Sequence, residues 1–243
     1  MKEVWIDPGH GGKDPGASGN GLQEKGIALT VSLGVKQRLE AEYEGVRVHL
    51  SRSTDVFLEL KERTDEANKA GADLLVSIHC NAGGGAGGFE TFRYTSASAA
   101  SRSLQNVLHT EIMAALKPFN VNDRGQKADN LHMCRESRMP AVLTENLFID
   151  VASDAAKLKR QDVIDALIAG HVSGIAQFLG LKEKEGAVNV NDKVTVTVKA
   201  YGKQIKDGKL IDGTVYVPLR AIAEASGDII TWDNKTKTAM ISK

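Results

Sequence analysis

Asp73-Leu74-Leu75-Val76-Ser77-Ile78 is an almost unbroken apolar run that ends at His79-Cys80-Asn81. A strand with so little polar alternation is covered on both faces, as in the middle of a parallel sheet. The flanking sequence keeps to that plan. Val4-Trp5-Ile6 is a second short apolar run, broken by Asp7-Pro8-Gly9-His10. Between the two runs, residues 24–41 read as a helix, with Ile27, Val31, Leu33, Val35 and Leu39 on or near one face. Residues 46–50 read as a strand, and residues 58–70 as a helix stopped near Gly71. Downstream, strands are predicted at 89–94, 131–134 and 141–144. Helices are predicted at 98–116, closed by Pro118, and at 161–179, ending at Gly180. This rhythm predicts an α/β domain over residues 1–180, a largely parallel sheet flanked by helices.

The pattern changes after Gly180. Residues 181–187 are charged, lack an apolar stripe and read as a linker. Val194-Thr-Val-Thr-Val198 alternates strictly, as a half-buried strand does. Lys206-Asp-Gly-Lys209 and Asp212-Gly-Thr214 are turn signals. A strand at 214–217 stops at Pro218, a short helix at 219–225 is capped by Gly227, and 229–232 with 239–241 make a hairpin. Residues 188–243 are therefore predicted to form a second, small, mostly-β (α+β) C-terminal domain. A core from so few residues is marginal, and a partner copy or the larger domain would support it.

The chain has 243 residues, 31 Lys+Arg against 31 Asp+Glu, and no net charge. That balance offers nucleic acid no general attraction, and no nucleic-acid partner is expected. Cys80 and Cys134 do not make a disulfide framework. Cys134 reads as a small buried apolar residue, and strand alternation points Cys80 away from the His79 side. Met1-Lys2-Glu3 runs straight into Val4 with no apolar signal region, and no stretch reads as a membrane span. The expectation is synthesis in the cytoplasm, or an export signal removed earlier, and no membrane partner.

The chemistry gathers at strand ends. His10 follows the first strand, His79 closes the buried one, and Glu145 closes another in Val142-Leu143-Thr144-Glu145-Asn146. In an open α/β sheet, ligands bind just beyond the carboxyl ends of the strands. Glu24 stands at a helix start after the glycine-rich loop 16–21, where the helix dipole favours a carboxylate. Two His and one Glu are a common catalytic zinc set with a fourth position left for water, whose pKa the metal lowers towards ~7. A carboxylate off the metal must then carry the proton from water to the leaving nitrogen, and Glu145 fits. The HExxH signature is absent.

At these residues the chain resembles the zinc N-acetylmuramoyl-L-alanine amidases of the amidase-3 type, found among autolysins, sporulation amidases and phage endolysins. The resemblance lies in Ile6-Asp-Pro-Gly-His10-Gly-Gly-Lys-Asp-Pro-Gly-Ala17 with Glu24-Lys25, in Ser77-Ile-His79-Cys-Asn81-Ala82, and in Pro140-Ala-Val-Leu-Thr-Glu145-Asn-Leu-Phe148-Ile. Ser51-Arg52-Ser-Thr-Asp55 is a lesser match. The resemblance implies zinc on His10, Glu24 and His79, with Glu145 as the catalytic acid/base. It also implies a peptidoglycan substrate, cut between the muramic acid lactyl group and L-alanine. Action is then expected at the bacterial cell wall, as for a phage endolysin or an autolysin. Cys80 replaces the commoner Ala of the family's His-Ala-Asn block. Val215–Gly227 and Ile230-Thr-Trp232-Asp resemble the module named for the N-terminal region of copper amine oxidases. No His follows His171, so no copper is implied. This module would bind the cell wall or make a homodimer.

Several residues carry weaker expectations. Asn81 would orient substrate or the zinc water, and Glu90 would line the groove. Arg52 and Asp55 would fix a loop rather than bind substrate. His132 is a candidate behind the ligands, whereas His49, His109 and His171 read as surface or core. The loop 83–88, nearly all glycine, has unusual freedom and would admit a bulky polymer or simply connect two strands. Two other readings compete. A zinc carboxypeptidase acting on wall peptides would need a cationic clamp such as Arg52 or Arg135. An inactive binding protein would hold little zinc.

Overall fold

A computed structural model describes residues 1–185, 198–205, 209–211, 214–233 and 238–242. The chain divides into two compact units, Met1–Ala187 and Val188–Lys243. The larger unit runs β1 (Lys2–Pro8), β2 (Ser18–Gly19), β3 (Leu22–Gln23), α1 (Glu24–Glu42), β4 (Val46–Leu50), α2 (Leu60–Ala70), β5 (Leu74–Asn81), β6 (Phe89–Tyr94), α3 (Ala99–Leu116), β7 (Asp123–Asp129), α4 (His132–Arg135), β8 (Ala141–Phe148), α5 (Ala152–Leu158) and α6 (Gln161–Leu179).

Six strands form one sheet in the order β4-β1-β5-β8-β6-β7. Neighbours are parallel from β4 to β8 and again between β6 and β7; only β6 and β8 run antiparallel. The expected α/β architecture is found. The apolar run of β5 takes a central place, and Leu74, Leu75, Val76 and Ile78 are buried as its composition requires. The α1 face of Ile27, Val31, Val35 and Leu39 packs into the same core. Small residues let the helices approach: a Cβ on Gly34 would meet Ile168 Cδ1 at 2.4 Å, and one on Gly170 would meet Ile112 Cα at 2.5 Å. Helix α6 is long and apolar enough to cross a membrane by composition alone. Its Val163, Leu167, Val172 and Ile175 are nevertheless core residues, buried against the sheet and neighbouring helices.

Two expectations are overturned. Glu145 lies within its strand rather than closing it, because β8 runs on to Phe148. Residues 131–134 do not form a strand. The amides of Cys134 and Arg135 bond back to the Leu131 carbonyl, and His132–Arg135 is a single helical turn. Four apolar-looking residues carry no period, so local backbone closure decides. The strand that does lie there is β7, whose polar sequence at the sheet edge gives no apolar signal.

Residues 182–184 lie against the end of α1: the Glu44 amide bonds to the Lys182 carbonyl and the Lys184 amide to that of Glu42. In the smaller unit, β9 (Val198–Ala200) pairs antiparallel with β10 (Lys203–Ile205), β11 (Lys209–Ile211) with β12 (Thr214–Tyr216), and β13 (Ile229–Asp233) with β14 (Thr238–Ser242). Helix α7 (Leu219–Ser226) ends at Gly227 in the left-handed conformation. Residues 194–197 and the turns at 206–208 and 212–213 lie outside the described residues.

Candidate metal centre and active site

The structure brings His10, Glu24 and His79 together. One ring nitrogen each of His10 and His79 and a Glu24 carboxylate oxygen lie within 4.8 Å of one another. Glu24 opens α1 and is almost fully buried. Its Oε1 stands 3.1 Å from His10 Nε2 and 2.8 Å from His79 Nδ1 and accepts the Cys80 amide, while Oε2 accepts the Ala17 amide at 2.8 Å. His10 Nδ1 is 2.8 Å from Asp14 Oδ2. With that nitrogen donating to Asp14, Nε2 turns its lone pair to the cluster, a familiar way to orient a metal-binding imidazole. Lone pairs of two imidazoles and a carboxylate repel unless a cation, or protons, lie among them, so the donor set fits a divalent metal. The surroundings fit too: a Cβ on Gly9 would lie 2.4 Å from the His79 ring, and one on Gly16 2.6 Å from Glu24 Oε2.

The metal-free cluster answers with protons. Burial works against a charged His10, but Glu24 and Asp14 outweigh it and raise its pKa to about 9. His79 is raised as well, burial again being overcome chiefly by Glu24. Glu24 is held far below the carboxylate range despite burial, because both imidazoles donate to it.

His10 adopts φ 58, a left-handed conformation that costs a side-chain-bearing residue energy. Two arginines hold it there. Arg52 donates to the carbonyls of Pro8 (3.1 Å), Gly9 (2.6 Å), Lys25 (2.9 Å) and Thr54 (3.2 Å). Arg63 donates to the carbonyls of Pro8 (2.7 Å), His10 (2.7 Å) and Leu58 (3.1 Å), and to Asp7 at 2.9 Å. Both are buried, at 3% and 2% exposure. Asp7 also accepts from Ser51 and Ser77. Burial disfavours its charge, but Arg63 and the two hydroxyls keep its pKa below the usual value.

The other half of the site comes from sheet register. His79 on β5 stands beside Glu145 on β8, and Glu145 beside Glu90 on β6. Asn146, fully buried, donates to the His79 carbonyl at 2.9 Å and to Thr144 Oγ1 at 3.0 Å. Thr144 Oγ1 also lies 3.0 Å from Nε2 of the buried His171. Glu145 Oε2 is buried with no hydrogen-bond partner among the described residues. Burial pushes its carboxyl up to about 7, opposed by His79 and reinforced by Glu24 and Glu90.

The remaining candidates separate. Asn81 donates to Glu90 Oε1 at 2.7 Å. Asp55 accepts from the Gly12 amide and from Lys25, so it and Arg52 both brace loops. Arg135 pairs with Glu136, and Arg52 spends its donors on backbone carbonyls. Neither is a carboxylate clamp. His49 bonds to Glu3 and His132 to Thr64, both away from the cluster. Thr91, His109 and Asp123 form a chain of contacts at 3.1 and 2.9 Å, but Thr91 has no exposed surface and cannot act as a nucleophile. Cys80 and Cys134 are buried, with burial raising both thiols, Cys134 to about 12. The glycine loop is anchored at both ends: Asp150 accepts the amides of Gly83 and Gly84, and Asp154 that of Gly88. Sequence reasoning missed Asp7, Asp14 and Arg63. The i, i+4 spacing of His10 and Asp14 was a readable signal; Arg63 lies among the charges of α2 and looks like an ordinary exposed residue.

Residues 4–177 match the family described as N-acetylmuramoyl-L-alanine amidase, and residues 202–243 match the copper amine oxidase N-terminal domain. The chain is 48% identical over 183 residues to the sporulation-specific N-acetylmuramoyl-L-alanine amidase of Bacillus subtilis (strain 168), covering 75% of this chain and 70% of that protein. It is 50% identical over 187 residues to the endolysin of Bacillus phage SPP1, covering 76% and 69%. Among solved structures, the catalytic domain of CwlV, an amidase of the same name from Bacillus (Paenibacillus) polymyxa var. colistinus, superposes with a TM-score of 0.70 at 37% identity, over 75% of this chain and all of that one.

Proposed function

The chain belongs to the N-acetylmuramoyl-L-alanine amidase family, and from that membership we propose how its residues divide the work of hydrolysis. The enzyme hydrolyses the amide between N-acetylmuramic acid and L-alanine in peptidoglycan, and so acts at the bacterial cell wall. His10, Glu24 and His79 hold zinc. When bound, the metal supplies Lewis-acid activation of water and of the scissile carbonyl. Glu145 takes the proton from the attacking water and returns it to the leaving alanine nitrogen. A carboxyl pushed up to about 7 suits both halves of that transfer at neutral pH. Asp14 fixes the His10 ring, and Arg52 with Arg63 holds the loop that carries it. Asn81, held by its bond to Glu90, orients the substrate.

The observation that carries this reading is the pairing of three converging donors with a neighbouring buried carboxylate oxygen that has no hydrogen-bond partner among the described residues. The family's general use of zinc supports the choice of metal. For residues 188–243, wall binding and dimerisation are the two roles proposed; sedimentation of the full chain with and without wall fragments separates them. The activity itself is tested by digesting purified peptidoglycan and identifying the residue that bears each new amino group. New N-terminal L-alanine on intact stem peptides is the expected result. New amines on any other residue would make the enzyme a peptidase and overturn the proposal.

A further inference from the structure

Glu90 is 3% exposed, yet its carboxylate meets two cations: Arg124 Nε at 2.8 Å and Lys127 Nζ at 2.5 Å. Asn81 donates to its other oxygen. Burial opposes ionisation, but Lys127 and Arg124 hold the Glu90 carboxyl below its usual value, so the group is charged. One buried carboxylate needs one cation to be neutralised, and here there are two, which leaves the cluster one positive charge in surplus. The surplus is presented outward. Arg124 and Lys127 keep 28% and 39% of their side chains exposed. The terminal guanidinium nitrogens of Arg124 have no hydrogen-bond partner among the described residues. Its guanidinium lies 4.5 Å from the centre of the Phe148 ring, and Lys127 Nζ lies 5.7 Å from that of Phe92. Both cations are thus positioned before any ligand arrives, which lowers the entropy lost on binding.

The location gives this surplus a use. Glu90 is the register neighbour of Glu145, so the cations, on β7, are held by the strand that lies next to the carboxylate assigned to proton transfer. A free carboxylate arriving there meets two cations whose charge Glu90 neutralises only in part. The lactyl carboxyl of the sugar is consumed in the scissile amide, so the free carboxylates of this substrate belong to its peptide.

We propose that Arg124 and Lys127, held by Glu90, form a subsite that binds a carboxylate of the peptide portion of the substrate. This rests on the amidase reading above. A guanidinium with two free donors on one edge suits a carboxylate well, by charge-assisted and often bidentate hydrogen bonding.

The test uses soluble muramoyl peptides that differ only in having one peptide carboxylate free or converted to a carboxamide, each carboxylate in turn. Wild type should prefer the free form of one of them by about tenfold or more in kcat/KM, as a charge-assisted hydrogen bond implies. Arg124→Gln should bring that ratio close to one, Lys127→Gln should lower it part-way, and Arg124→Lys should restore most of it. Zinc content and urea midpoints check that each variant is folded. A ratio unchanged in Arg124→Gln, or rates on both forms falling by the same factor, would overturn the proposal and leave a purely structural ion pair. Calorimetry of the released acidic peptide binding to full-length protein supplies a readout without turnover. Binding that weakens severalfold in Arg124→Gln and with added salt supports the subsite, and binding indifferent to both overturns it. If wild type released no alanine amine from any substrate, the amidase reading would fail, and calorimetry would still decide the subsite.

Discussion

The two halves of the active site are supported in different ways. On the β5–β8 side, His79 and Glu145 are placed by regular strand pairing, with Asn146 tying one strand to the other. On the β1 side, His10 sits in a strained turn outside the sheet, and its position depends on two buried guanidiniums bonded to the carbonyls of residues 8, 9 and 10. A sheet supplies its own hydrogen bonds and tolerates a change at one position. A loop held by buried charges concentrates its stability in few residues, so the β1 side should be the fragile one.

The sharpest way to break that comparison is Arg63→Met. It removes the cation paired with Asp7 in the core, frees the His10 carbonyl and leaves that of Pro8 to Arg52 alone. Loss of one partner from a buried ion pair costs about 3–5 kcal/mol, so the urea midpoint should fall steeply and zinc should be lost with it. Asp14→Ala removes the partner of His10 at a part-exposed position. Zinc affinity should weaken about 10–100-fold, as for other residues that orient a metal ligand, with little change in the unfolding midpoint. On the sheet side, Asn146→Ala removes the bond to the His79 carbonyl, at a cost of about 1–3 kcal/mol. Zinc should stay bound near one per chain while amine release slows.

The smallest effect expected is on pH dependence. The folded, metal-free protein holds His10 protonated up to about 9, against an ordinary value of 6.5. That raised pKa contributes stability fully present below pH 6.5 and lost as pH rises through about 9. Melting temperature of the metal-free protein should therefore decline across this window. Zinc must displace these protons, so its apparent affinity should rise over the same window, with proton release measurable by calorimetry in buffers of different ionisation enthalpy.

The comparison also explains what the sequence disclosed. His79 and Glu145 were legible because an apolar strand can be read from composition, and the sheet then places them by register. Glu24 was legible as a carboxylate at a helix start after glycines. The cradle beneath His10 was not, because Asp7, Ser51, Arg52, Arg63 and Ser77 come from separate segments, and nothing local distinguishes a buried arginine from a solvated one. For the same reason Glu90 was legible only as a residue lining the groove: its cationic partners lie on β7, an edge strand whose polar sequence gives no alternation. Residues 131–134 misled because four residues are too few to carry a period.

The most direct test of the central claim, that the residues holding the metal and the carboxyl transferring the proton are different side chains, is zinc content measured together with alanine-amine release for Glu145→Gln. The account predicts about one zinc per chain, as in wild type, with amine release abolished. Loss of zinc from Glu145→Gln would make that residue a ligand and contradict the division, and full activity with zinc retained would remove it from the chemistry altogether.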